Sequence, residues 1–112
     1  MLLRLPHAEN AVVDIAKLRD YCLSTTHPVG KHKARVFAAK LGLTADDSNE
    51  LREALLEAAR ILDVVPGDQD QYGQRYTLDL LMIGPDGHAT VRSAWIIRSG
   101  EDFPRLTTCY VV

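Results

Sequence analysis

Residues 75–98 read RYTLDLLMIGPDGHATVRSAWIIR, and the fold turns on this stretch. Its apolar residues recur with a period of two, the spacing of a half-buried strand. Gly84-Pro85-Asp86-Gly87 interrupts the alternation, and Pro85 suits the second position of a type I turn. The pattern predicts two antiparallel strands, Arg75 to Ile83 and His88 to Arg98, with Ile83 facing His88. That register gathers Tyr76, Leu78, Leu80 and Met82 on one face with Ala89, Val91, Ser93 and Trp95. This face is apolar enough to receive a core. Trp95, the only Trp, lies at its centre beside Val91 and Leu78 and reads as a core anchor rather than a stacking surface for a base. The opposite face carries Thr77, Asp79, Thr90, Arg92 and Arg98. Asp79 falls directly across from Arg92, a pair whose plain reading is structural.

C-terminal to this hairpin, SGEDFP at 99–104 reads as a loop and Arg105 to Val112 as a third strand. N-terminal to it, VVPGDQDQYGQ is rich in turn formers, so 63–74 is expected to be one long loop. Further upstream the period changes to helical. Ile15, Leu18 and Cys22 fit a helix from Asp14 to Ser24, with Asp14 as N-cap. Residues TTHPVG at 25–30 make a turn, and His27 is pushed toward extended backbone by Pro28. A second helix starts at Lys31 or His32, buries Ala34, Phe37, Ala38 and Leu41, and stops at Gly42. A third follows Thr44, with Leu51, Ala54, Leu55, Ala58 and Leu62 as its stripe. Either Thr44-x-x-Asp47 or Asp47-x-x-Glu50 forms its capping box. The expectation is an α+β domain over 1–112. Three N-terminal helices (about 12–62) pack on a C-terminal antiparallel meander (75–112) of three strands, or four if a strand forms near Val64 or Val12.

A chain of 112 residues that is 46% hydrophobic has the composition of one folded domain rather than a disordered tail. No apolar run approaches the ~18 residues of a membrane helix, and the N-terminal residues do not read as a signal peptide, so no membrane partner is expected. Cys22 and Cys109 lie far apart in apolar stretches and read as small buried hydrophobes, which points to the cytoplasm. His7, His27, His32 and His88 are too scattered for a metal site, and no cofactor motif occurs.

The net charge of −2 excludes a globally basic nucleic-acid binder, but the charges are unevenly placed. Tyr21 to Ala45 contains no Asp or Glu, while it holds Lys31, Lys33, Arg35 and Lys40 with His27 and His32. A solvated helix face would explain this string. So would a phosphate site, because a helix N-terminus beside Gly30 offers free N–H groups, lysines add charge and histidine moves protons near neutral pH. Metal-independent cleavage of RNA uses those parts: a base for the 2′-hydroxyl, an acid for the leaving oxygen, and cations for the phosphorane. The last strand adds Arg105, Thr107, Thr108 and Tyr110. Adjacent threonines point to opposite faces of a regular strand, so one hydroxyl is expected on the helix side.

Four motifs in order, HPVGKHKARVF (27–37), YGQRY (72–76), VRSAWII (91–97) and PRLTTCY (104–110), resemble a bacterial family of domains of unknown function. The resemblance runs from about Tyr21 to Tyr110. Members look like phage-associated nuclease domains of the barnase–EndoU–colicin–RelE superfamily, or small proteins encoded beside an antitoxin-like partner. It implies helices packed on an antiparallel sheet and a metal-independent endoribonuclease toxin that acts on RNA and is held by a small antitoxin or immunity protein. Carried onto this chain, Lys33 is the helix-start lysine, flanked by His27 and Lys31; Arg92 is the middle-strand arginine, and Thr108 and Tyr110 close the pattern. The candidate catalytic residues are then His27 or His32 as base or acid, with Lys33, Thr108 and Tyr110. Lys31, Arg35, Arg92 and Arg98 are the candidate substrate-binding cations. A non-catalytic protein-binding module, an inhibitor or adaptor, is the competing reading, and the exposed final strand makes a second copy of the chain a further candidate partner.

Overall fold

The computed structural model describes residues 3–112. Helices come first and a meander follows, so the α+β architecture stands as expected. Helix α1 spans Ile15–Lys17 and continues directly into a π turn, Leu18–Cys22. Helix α2 spans Lys31–Leu41 and α3 spans Ser48–Ile61. Among the described residues four strands form, β1 Val65–Asp70, β2 Gly73–Gly84, β3 Gly87–Arg98 and β4 Pro104–Val111, ordered β1-β2-β3-β4 in one antiparallel sheet.

Each helix end has a local cause. Asp14 accepts from the Ala16 amide at 3.0 Å and starts α1. Gly42 takes φ 72°, which closes α2 with the Gly42 and Leu43 amides on the Ala38 and Phe37 carbonyls. Of the two capping boxes, Thr44 with Asp47 is the one formed, through a short 3-10 turn that precedes α3. Leu62 does not belong to the third helix's stripe: it follows α3 with extended backbone and stays partly exposed.

The β2–β3 hairpin has the expected register, with Ile83 opposite His88, Asp79 opposite Arg92 and Tyr76 opposite Trp95. Its inner face supplies Leu78, Leu80, Val91 and Trp95 to the core, where Leu18, Phe37, Leu41, Leu51 and Leu55 from the helices cover them.

Two expectations are corrected. Residues 63–74 are not one loop, because Val65–Asp70 pairs with β2 as an edge strand, and β2 itself begins at Gly73. The stretch carries no apolar alternation because every residue of β1 is exposed. Pro66 and a register shift between Pro66 and Gln69 suit an edge. The first helix is also not a regular helix to Ser24. The Leu23 amide bonds the Leu18 carbonyl at 2.8 Å, an i→i+5 link that buries Leu18, Cys22 and Leu23 together. Val12 forms no strand, only a parallel bridge to Arg105 at the outer edge of β4.

Candidate functional site

The site is built where the first turn of α2 meets the edge strand β4. Ala34, Phe37 and Leu41 face the core, and Lys33 flanks that stripe. Its amine donates to Thr108 Oγ1 at 3.3 Å. The same amine lies 5.1 Å from the centroid of the Tyr110 ring and 5.6 Å from that of Tyr21, so the cation is held by a hydroxyl and two aromatic faces.

Thr108 and Tyr110 reach this position through a β-bulge. Strand β4 pairs Leu106 with Trp95 and Thr108 with Ala94, so Thr107 is an extra residue. Leu106 and Cys109 are buried in the core, while Thr108 and Tyr110 share the outer face with Ala94 and Arg92. The hydroxyl of Thr107 donates to the Ala94 carbonyl at 3.0 Å and so ties the bulge down.

Tyr21 comes from the π turn, and its ring meets the His27 ring edge-on, centroids 4.7 Å apart. His27 Nδ1 accepts from the backbone amides of Val29 at 3.0 Å and Gly30 at 2.9 Å. The neutral ring therefore carries its proton on Nε2 and offers a donor, not a base, to its surroundings. It also occupies two of the amides that a phosphate at the start of α2 would use. Gly30 has its own packing reason: a Cβ there would collide with the Tyr21 carbonyl oxygen.

On the outer face, Arg92 grips Asp79 with two hydrogen bonds, 2.8 and 3.0 Å. Asp79 is lowered below its ordinary value by this hydrogen bond and by the arginine's charge. Arg92 is raised, chiefly by Asp79 and secondarily by Tyr110. Beneath the site, Cys109 turns inward toward Cys22 of the π turn, and both are buried free thiols. Cys109 is pushed up by the neighbouring Cys22 thiol and by burial.

Lys33, Thr108, Tyr110, His27 and Arg92 are thus drawn into one neighbourhood. The other candidates are not. Lys31 and Arg35 lie two residues from Lys33, roughly 200° around the helix. His32 and Arg35 are exposed. Arg98 is six residues along β3 from Arg92, about 20 Å at ~3.3 Å per residue; it lines a cleft with Arg105 and Lys17 instead. Tyr21 and Asp79 join the site without having been candidates, and Thr107, the other of the two adjacent threonines, ties the bulge. An aromatic residue six positions before His27 in the acid-free segment was the available signal for Tyr21. Among the described residues, no group of three His, Cys, Asp or Glu is placed to hold a metal ion.

Helices on one face of an antiparallel meander, with a caged lysine where they meet the edge strand, define the class. The chain belongs to the family described as a domain of unknown function (DUF6883), which matches residues 4–112. No curated protein matches the sequence. Among solved structures, the fold is similar to a chain in a contact-dependent growth inhibition toxin–immunity protein complex from Klebsiella pneumoniae 342. The TM-score is 0.69 at 20% identity, covering 90% of this chain and 99% of that chain. At that identity the likeness is one of fold.

Proposed function

We propose that the protein is a metal-independent endoribonuclease-like toxin that acts on RNA in the cytoplasm and is held inactive by a small cognate immunity or antitoxin protein. The observation that carries this reading is the Lys33 amine, fixed on Thr108 between Tyr21 and Tyr110 in the middle of an acid-free segment. The similarity in fold to a chain of a toxin–immunity complex supports the toxin setting and the protein partner.

In this reading the 2′-hydroxyl attacks the phosphorus and expels the 5′-oxygen, its proton passing through water to that leaving oxygen, while Lys33 neutralises the charge that builds on the phosphorane. Thr108 accepts from Lys33, which leaves its hydroxyl proton free to orient a phosphate oxygen. His27 supplies a hydrogen-bond donor from Nε2. Rate enhancement then rests on preorganised electrostatics more than on a pair of histidines.

The test is cleavage of total RNA by purified protein, together with induced expression in cells that lack the partner. Lys33→Ala and the isosteric Thr108→Val should each slow cleavage about a hundredfold, roughly 2.7 kcal/mol of transition-state stabilisation. Wild-type protein that neither cuts RNA nor arrests growth sinks the proposal and leaves the binding module.

A further inference from the structure

Two clefts flank the caged lysine, and each is lined by one of its two tyrosines. The first, about 510 Å³, is lined by Tyr21, His27 and Thr107 with Asp14, Lys17 and Asp20. The second, about 540 Å³, is lined by Tyr110, Arg92 and Asp79 with Thr77, Asp63 and Val65. Lys33 touches both rings, so it stands between the clefts.

We infer that Tyr21 and Tyr110 are paired base platforms on opposite sides of Lys33, so that the substrate is a single-stranded dinucleotide step with its two bases splayed into the two clefts and its bridging phosphate on the lysine. This rests on the ribonuclease reading of the same site and deepens it.

Three features carry the inference. Aromatic faces stack bases of any sequence, and each cleft has one such face. Both clefts also present a threonine hydroxyl that can meet a base edge, Thr107 in one and Thr77 in the other. Finally, the two rings share a single cation while lining separate clefts. Bases stacked on each other in a duplex cannot occupy two separate clefts while their shared phosphate sits between them. The arrangement therefore selects unpaired or extruded nucleotides, as in loops and bulges.

The experiment uses four-residue oligonucleotides that are abasic at both ends and carry a 2′-deoxy sugar at each of the two central residues, so that they bind without being cut. Three forms are titrated: both central bases present, only the 5′ base, and only the 3′ base. Removing either base should weaken binding about tenfold. Tyr21→Leu should abolish the penalty for one base and Tyr110→Leu the penalty for the other. A longer oligonucleotide should bind much more weakly as a perfect duplex than as a single strand. Tyr21→Trp and Tyr110→Trp keep a stacking face and should hold wild-type affinity, which covers the case of a leucine variant that fails to fold.

The inference is overturned if one ring reads both bases, if each leucine variant weakens all three forms equally, if tryptophan weakens binding as leucine does, or if duplex binds as well as single strand. The all-ribose version separates the two proposals. Ring-specific binding without cleavage keeps the platforms and removes the nuclease. Cleavage without ring-specific coupling does the reverse, and neither binding nor cleavage sinks both.

Discussion

Trp95 Nε1 donates to Ser93 Oγ at 2.9 Å, and the Ser93 hydroxyl passes the chain on to the Leu78 carbonyl at 3.0 Å. Both side chains are fully buried, two residues apart on one face of β3. The serine is therefore part of the tryptophan's anchorage: it gives the indole N–H an acceptor where water cannot reach. Ser93→Ala should cost about 1–3 kcal/mol, the penalty for a stranded donor. Trp95→Ala should cost about 3–5 kcal/mol through its cavity, which would leave the fold marginal. In a Ser93→Ala background, Trp95→Phe should cost less than it does alone, because the donor is gone. Urea unfolding of the four proteins checks this; strict additivity would show that the two do not act as a unit.

His27 holds the turn before α2 by accepting two amides, so its structural and chemical roles can be separated. An asparagine oxygen can accept from the same amides, as at helix N-caps. His27→Asn should keep the melting temperature, while His27→Ala should lose about 1 kcal/mol. If the imidazole also donates to a substrate phosphate, both variants lose cleavage rate. Equal stability loss in the two variants would show that the amides do not depend on this acceptor.

Gly30 has φ −70°, which alanine adopts freely, yet its missing Cβ is where the Tyr21 carbonyl lies. Gly30→Ala must therefore move the π turn and should cost about 1–3 kcal/mol, as overpacking does. Tyr21 would shift with it, so RNA affinity should fall too. Gly100 is the contrast: φ is +86° with open space around it, so Gly100→Ala should cost about 1 kcal/mol of backbone strain and leave RNA affinity alone. Thermal melts with RNA titrations on both variants decide it.

Asp79 gives a pH signature. Its folded-state value lies below the ordinary 3.8 because Arg92 holds the charged form. A lowered carboxyl stabilises the fold above its unfolded value, and that contribution disappears as pH falls through the folded one. Wild type and Asp79→Asn should therefore differ at neutral pH and converge below about pH 3.8. A gap in melting temperature that stays constant down to pH 2 would count against the pair.

The hairpin could be read from the sequence because its alternation and its turn agree, so Ile83 against His88 admits one register. Helices α2 and α3 could be read because stripe, cap and stop residues coincide. Strand β1 was legible only as an optional fourth strand near Val64, its bounds lost in a supposed loop: VPGDQD buries nothing, and burial is what writes a period into a sequence. The π turn was hidden for the opposite reason, since Leu18 and Cys22 fit an ordinary helix and the fifth-residue link depends on packing. At the site, Lys33 stood out in the acid-free helix start and Thr108 and Tyr110 in the polar last strand, and the resemblance to known motifs joined the two. Their convergence depends on distance in space, with Lys33 and Thr108 separated by 75 residues. Tyr21 and the diversion of His27 Nδ1 to the backbone follow from the turn geometry, which composition does not encode.

The bulge at Thr107 works as a change of reading frame in a two-letter alphabet of inside and outside. Before it, Leu106 is an inside letter; after it, Thr108 and Tyr110 are outside letters and Cys109 is inside. Were the strand to run straight with that residue kept, every later letter would invert, sending Thr108 toward Cys22 and turning Cys109 out to solvent. Point substitutions along β4 can be graded and repaired one side chain at a time. A single-residue insertion beyond the bulge has no such intermediate, because it would erase the site and puncture the core in the same event.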